Sequence, residues 1–414
     1  MSYPDLDLNL TDEEKALRDV MRKFGSEVVR PAGIELDKME DPADTIAEGS
    51  VLWDVFRKYR ELGFHRRGFA KELGGISEDM GPLGSVLIGE ELGYADAGLA
   101  ISLGVSSMGF NFLPLFPDPE FQELIKEFLE DLDCTMIGCW AITEPDHGSD
   151  WILAADRTFM DPKTAPSMRA VLDGDEYVLN GQKSAWVSDG TIATHASLHV
   201  SLDPSRGMQG TGLAFVPLDL PGISKGKPLD KIGQRALNQG EIFFDNVRIP
   251  QKYMLVPDPE IASQMGLMSM ILTGANTGMS VTFAGLARAA FDEALHYARE
   301  RVQGGKPIIE HQNIKLKLMD MFTRVEASRS LSRRTSLYNA ANPPGSPQHA
   351  VAAKVLSTES AFKVASEAVQ VFGGNGLSRE YVIEKMFRDA RASMIEDGAN
   401  EALSITAATF FNMA

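Results

Sequence analysis

Cysteine is nearly absent from this 414-residue chain: Cys134 and Cys139 are the only two, and their spacing is not that of a CxxC pair. With seven histidines besides, Cys and His are too sparse for a zinc cluster, so no metal is expected and a reducing, cytoplasmic compartment fits. Positive charge is also scarce. Forty Lys and Arg stand against 58 Asp and Glu, a net charge of -18. Bulk electrostatics therefore exclude attraction to a nucleic-acid backbone or an anionic membrane, while a local basic pocket for a phosphorylated ligand stays open. The start, MSYPDLDLNLTDEEK, is acidic and polar and lacks the apolar region of a signal peptide. One stretch lacks charge altogether. Between Glu260 and Arg288 no charged residue occurs, a run long enough to cross a bilayer. It carries Ser263, Gln264, Ser269, Thr273, Asn276, Thr277, Ser280 and Thr282, so we read it as a helix buried inside protein, not as a membrane span.

What is present is ordinary for a soluble globular protein: 44% hydrophobic and 24% charged residues. The length exceeds what one hydrophobic core usually serves, so two or three domains are expected. The first third reads as helix. TDEEKALRDVMRKFGSEVV offers Thr11 as N-cap with Glu14 three positions on, the capping-box pattern. Leu10, Leu17, Val20, Met21, Phe24 and Val28 follow at helical spacing. Further helices are expected over 50–62, around 84–93 and over 119–132. From Met136 to Pro250, β-branched residues and turn signals dominate, and Asn180-Gly181 reads as a hairpin turn. After Tyr253 long helical patterns return, the last stopped by Gly373-Gly374, and their short breaks suggest a bundle. The expected architecture is α+β and multidomain: an N-terminal helical domain (1–135), a middle β-barrel or sandwich-like domain (136–252) and a C-terminal four-helix bundle (253–414).

Five stretches stand out: AITEPDHGSD (141–150), FFDNVRIP (243–250), HYARERVQGGKPIIEHQ (296–312), QVFGGNGLSREY (370–381) and IEDGANEAL (395–403). In this order, along nearly the whole chain, they resemble the acyl-CoA dehydrogenase family of flavoproteins. The resemblance implies FAD as cofactor and oxidation of the α,β bond of an acyl-CoA thioester. That chemistry needs a base for the α-proton, a hydride acceptor facing the β-carbon, and donors for the thioester oxygen. It also implies an electron-transfer flavoprotein as partner.

By the same resemblance, the Ile142 backbone and Thr143 meet the pyrimidine side of the flavin and Ser149 the pyrophosphate, with Ser149 also on the substrate side. NGQKSAWVSDG is similar to the segment that packs against the flavin. This makes Trp186 and Ser188 the matching residues, with one residue more than usual between Lys183 and Trp186. A neighbouring subunit supplies the rest in this family. Arg301 matches the arginine on the FAD pyrophosphate, where a guanidinium fork suits the group, and Gln312, Gln370, Gly373 and Gly374 match residues around the ADP portion. An oligomer follows, the family's tetramer. Gly304 stands where the family has an aromatic.

The catalytic base is expected in the terminal motif. Setting Gly398 on the glycine of the family's Y-E-G-T pattern places Asp397 on the base and Glu396 on the tyrosine, with Glu396 as the fallback if the register slips by one. The branch that keeps its base on the charge-free helix has no counterpart, because TGANTGMS contains no carboxylate and Asn276 replaces an arginine usual there. Asn276 and Gly398 are accordingly placed on the substrate side. An aspartate base and Asn276 tilt the reading toward a cyclic or branched acyl group. Between Asp150 and Asn180 the chain is roughly ten residues longer than usual in the family, carrying WILAADRTFMDPKTAPSM, and this stretch either borders the site or decorates the surface. Two rival readings share the fold: an oxygen-using flavin oxidase or monooxygenase of the nitroalkane-oxidase kind, and a non-catalytic flavin-binding scaffold.

Overall fold

Thr11 opens the first helix as the sequence predicts. Its hydroxyl accepts from the Glu14 amide at 3.2 Å, and the Glu14 carboxylate accepts from the Thr11 amide at 3.0 Å, which satisfies two of the donors that a helix start leaves open. In this computed structural model, residues 6, 10–116, 118–154, 156–258 and 266–412 are described. The helical first third consists of α1 (Asp12–Phe24), α2 (Arg30–Lys38), α3 (Val51–Glu61), α4 (Gly84–Ala95), α5 (Ala97–Val105) and α6 (Pro119–Glu130). Met21, Val29, Leu36, Val55, Phe56, Ile88 and Leu99 form a core shared by α1 to α5, whereas Phe121, Ile125 and Phe128 of α6 pack in a second cluster with Phe110 and Phe215.

An eight-stranded sheet follows. Its strands are β1 (Gly138–Ala141), β2 (Arg169–Asp173), β3 (Glu176–Lys183), β4 (His195–Ser201), β5 (Thr211–Pro217), β6 (Ile223–Lys225), β7 (Ile242–Pro250) and β8 (Met254–Val256). They lie in the order β6-β7-β3-β2-β4-β5-β8, with β1 paired parallel to β4 off that path. The expected hairpin turn at Asn180-Gly181 is not one. Both residues lie inside β3, where the register with β7 shifts between Leu179 and Gly181. The glycine is needed there for close approach, because a Cβ on it would lie 2.7 Å from the Met168 Cα. The tight turn sits at Gly174-Asp175, between the paired residues Asp173 and Glu176.

The remaining helices are α7 (Leu267–Glu300), α8 (Gln312–Ala341), α9 (Pro347–Phe372), α10 (Ile383–Ala392) and α11 (Asn400–Thr409). The charge-free run enters α7, although residues 259–265 at its start lie outside the described ones. Among the described residues no helix is long and apolar enough to cross a membrane. Instead α7 is buried: Phe283, Ala287, Ala290 and Ala294 pack with Met321 and Val325 of α8, Val364 and Ala368 of α9, and Ile383 of α10.

Glycines bring α7 and α4 into backbone contact. A Cβ at Gly93 would sit 2.0 Å from Thr282 O, and one at Gly285 would sit 2.2 Å from Glu90 O. At this crossing Glu90, 2% exposed, accepts from Arg288 at 2.6 Å, Arg329 at 2.8 Å and Arg333 at 2.6 Å. Its neighbour Glu91 accepts from Arg288 at 2.7 Å and Arg22 at 3.0 Å. Buried charges are tolerated only when paired and hydrogen-bonded, and removing one partner strands the other. Glu90→Ala should therefore lower stability by about 3–5 kcal/mol, read from chemical denaturation, and Glu90→Gln by less. An unchanged midpoint in Glu90→Ala would show that the arginines find solvent instead.

Candidate active site

The turn between α10 and α11 carries Glu396, Asp397 and Gly398, and several elements clamp it. Asp397 takes φ +50 and Gly398 φ +101, the left-handed region that costs a non-glycine residue of order 1 kcal/mol. The surroundings hold this conformation in place. Lys354 of α9, fully buried, donates from Nζ to Gly398 O at 2.9 Å and to Asn400 Oδ1 at 2.8 Å. Thr358 accepts from Asn400 Nδ2 at 3.1 Å. The Ala399 amide donates to Ser149 Oγ at 3.0 Å, which fastens the turn to the loop after β1. From the loop between β6 and β7, Gln234 Nε2 donates to Glu396 Oε2 at 2.9 Å.

These contacts leave three groups open. Among the described residues, the Asp397 carboxylate has no hydrogen bond, and the amides of Asp397 and Gly398 donate to nothing. Both acidic side chains are half-exposed by area yet closely surrounded by protein, and this enclosure governs their titration. Burial raises Asp397 above the usual carboxylate range, with Lys354 opposing. Burial pushes Glu396 up to about 7, against the Gln234 bond and Lys231 and with Asp397 adding to the rise. Lys354 is lowered to about 8 by burial, against the attraction of Asp397, Glu396 and Glu401.

The segment AITEPDHGSD is tied mainly to the end of β3 and the residue after it. Lys183 Nζ donates to Ile142 O at 3.0 Å and to Glu144 Oε1 at 2.8 Å. The Ser184 amide donates to Thr143 O at 2.9 Å, and Asp150 accepts from the Gly148 amide at 2.6 Å. Trp186 is 58% exposed, and Ser188 Oγ accepts from Gln239 Nε2 at 3.2 Å. Arg301, Gln312, Gln370, Gly373 and Gly374 lie elsewhere, exposed where α7 ends, α8 begins and α9 ends. From Lys354 to Phe372 along α9 is about 27 Å at 1.5 Å per residue, so one chain does not bring these five to the Asp397 turn. A Cβ on Gly373 or Gly374 would meet nothing.

The long loop after Asp150 borders a cavity of about 360 Å³, with Trp151, Ile152 and Phe159 facing Leu272 and Asn276 of α7 and Leu403 of α11. Among the described residues the lining contains no Asp, Glu, Lys or Arg. Three buried polar atoms of this lining have no partner there: Trp151 Nε1, Gln209 Oε1 and Asn276 Oδ1. His199, also in the wall, is depressed to about 3 by burial, with Lys183 adding, and is neutral. The Trp140 indole N–H donates to its Nε2 at 3.0 Å, which leaves the ring proton on Nδ1.

Three family models match in chain order: acyl-CoA dehydrogenase N-terminal domain over 11–125, middle domain over 139–247 and C-terminal domain over 266–410. A cyclohex-1-ene-1-carbonyl-CoA dehydrogenase of Syntrophus aciditrophicus is 31% identical over 95% of this chain and 88% of its own. This chain belongs to the acyl-CoA dehydrogenase family. Among solved structures, butyryl-CoA dehydrogenase from Megasphaera elsdenii superposes with a TM-score of 0.85 at 28% identity, covering 98% of this chain and all of the other. A structure described as electron transferring flavoprotein of Acidaminococcus fermentans gives 0.82 at 27%, covering 98% and 99%. The protein is thus an oxidoreductase in a family of flavoproteins.

Sequence reasoning missed several residues around the candidate site of this acyl-CoA dehydrogenase: Lys354, Gln234, Lys231, Gln239 and Gln209. Only Lys354 left a signal. It falls on the helical stripe Ala350, Ser357 and Ala361, all buried, where a lysine is out of place unless it is paired. The others act across the chain from loops. Gly398→Ala tests the turn: its Cβ would lie 2.7 Å from Ile152 Cδ1 at an unfavourable φ, so a loss of about 1–3 kcal/mol is expected in thermal or chemical unfolding. A neutral result would mean that the turn relaxes freely.

Proposed function

We propose that this protein catalyses FAD-dependent α,β-dehydrogenation of an acyl-CoA thioester, with Asp397 as the base. The observation that carries the reading is the pairing, in one clamped turn, of an unengaged, closely surrounded carboxylate with two unengaged backbone amides. A carboxylate raised by burial and held in place suits removal of an α-proton. The amides of Asp397 and Gly398 suit the negative charge that gathers on the thioester oxygen as the proton leaves. Glu396, already occupied by Gln234, is less free for that role.

The residues present fit FAD. Trp186 offers an open aromatic face, Thr143 and Ser188 offer hydroxyls, and the bare surface at Gly373 and Gly374 admits close backbone approach. When bound, FAD supplies the hydride acceptor. Ile142, Thr143, Ser149, Trp186 and Ser188 would hold it from one chain, and Arg301, Gln312, Gln370, Gly373 and Gly374 would serve a neighbouring copy's site, which favours a tetramer. Ser149 has a second role, fixing the base-bearing turn through Ala399. The cavity beside Asn276 and Trp151 suits the uncharged, amide-bearing part of the substrate, since its unpaired atoms include both a donor and acceptors. The relative acting on a cyclohexene carbonyl thioester, together with an aspartate at the base position, supports a cyclic or branched acyl group. Electrons would pass to an electron-transfer flavoprotein.

Asp397→Asn should retain yellow flavin and lose acyl-CoA-dependent bleaching by roughly a thousandfold, the scale of a general base. Stopped-flow absorbance across a panel of straight, branched and alicyclic acyl-CoA thioesters checks this. Full bleaching in that variant, or complete loss in Glu396→Gln alone, would move the base away from Asp397.

A further inference from the structure

The stretch from Trp186 to Ser188 is held by the loop between β6 and β7. Ser188 pairs with Gln239 in an isolated antiparallel bridge. Beside it the Asp189 amide donates to Asn238 O at 2.7 Å and the Gly240 amide to Val187 O at 3.2 Å. Gln239 is buried, and its side chain is engaged at both ends. Its Oε1 accepts from Lys231 Nζ at 2.8 Å, and the same ammonium donates to Leu237 O at 2.7 Å. Its Nε2 donates to Trp186 O and to Ser188 Oγ, each at 3.2 Å.

The partners fix which way this amide faces. An ammonium only donates and a carbonyl only accepts, so Oε1 faces Lys231 and Nε2 faces Trp186. A flipped amide would set oxygen against the Trp186 carbonyl and N–H against the ammonium, leaving buried groups without their hydrogen bonds. Nε2 carries two hydrogens; the Trp186 carbonyl takes one and Ser188 Oγ takes the other. The Ser188 hydroxyl is therefore an acceptor toward Gln239, and its own proton is turned elsewhere. Among the described residues that proton has no acceptor, and Ser188 is only part-buried, so the proton is available on the open side.

We propose that Gln239, oriented by Lys231, is a positioning residue for the cofactor: it commits the Ser188 hydroxyl to donating, so that this hydroxyl meets an acceptor atom on the edge of the bound flavin. The proposal rests on the reading that Trp186 and Ser188 face FAD. A flavin ring presents nitrogen and carbonyl acceptors along its polar edge. A donor aimed at them in advance draws electron density from the ring and favours acceptance of a hydride. A serine with no such neighbour divides its time between donating and accepting. The relay from Lys231 through Gln239 removes that choice before the cofactor arrives, and so lowers the cost of ordering the contact.

The test is the two-electron reduction potential of the flavin-loaded protein, measured against a redox dye without any acyl thioester, in a double-mutant cycle. Ser188→Ala alone should make flavin reduction about tenfold less favourable, the worth of one hydrogen bond, which is about 30 mV for a two-electron couple. Gln239→Glu replaces the donor by an acceptor, so the Ser188 hydroxyl should turn back toward it. Adding Ser188→Ala on that background should then change the potential little. Gln239→Met removes the donor without the repulsion that a carboxylate meets at Trp186 O, and serves where the Glu variant fails to fold. On that background the Ser188→Ala effect should shrink without vanishing. A Ser188→Ala shift of equal size on every background, or no shift in the otherwise wild-type protein, overturns the proposal. A protein that takes up no FAD overturns both this proposal and the flavoenzyme reading beneath it. If FAD binds and the cycle behaves as expected while no acyl thioester bleaches the flavin, the dehydrogenase reading fails and the positioning role stands.

Discussion

One buried ammonium organises the candidate site. Lys354 lies inside α9 with no exposure, and its two hydrogen bonds hold the carbonyl of Gly398 and the side chain of Asn400. Hydrogen bonds from a charged donor contribute about 1.5–3 kcal/mol each, enough to offset the cost of a left-handed aspartate. Without such a clamp Asp397 would relax toward ordinary backbone, and the turn that carries its carboxylate and unengaged amides would lose its shape. The same lysine opposes the rise in Asp397 caused by burial. One side chain thus holds the position of Asp397 and counters the effect of burial on its proton affinity.

The fold serves to bring that lysine, the sheet and the terminal turn together. Gly93 and Gly285 let α4 and α7 touch backbone to backbone, and three arginines meet Glu90 in the space between the helices. Ser149 and Gln234, both from loops of the sheet region, reach the turn from one side while α9 supports it from the other. The carboxylate pair therefore sits where sheet loops and bundle meet. A crevice of this kind can enclose a reacting group and exclude water from it.

Local signals were legible and distant ones were not. The capping box at Thr11 and Glu14 depends on residues three apart, so sequence alone showed it. The charge-free run was legible as a buried helix because its hydroxyls and amides are too many for lipid but acceptable beside other helices, where Thr273, Asn276 and Thr277 donate back to the carbonyl four residues earlier. Asn180-Gly181 misled because that dipeptide favours a tight turn, whereas here the glycine serves a bulge inside a strand and the turn falls to Gly174-Asp175. The register on Gly398 put Asp397 at the base position with Glu396 as fallback, but nothing local shows which of the two another group engages. Gln234, 162 residues away in sequence, engages one and leaves the other open. The loop after Asp150 left two readings open from sequence. Its burial of Trp151 and Ile152 against α11 decides that it borders the cavity.

The base assignment can be reached without any redox step. A bound acyl-CoA analogue that cannot be oxidised, incubated with the flavin-loaded protein in D2O, should exchange its α-hydrogen in wild type and not in Asp397→Asn, as followed by NMR. Exchange at equal rates in both would contradict the account, because the proton would then be leaving to some group other than the aspartate before Gly398.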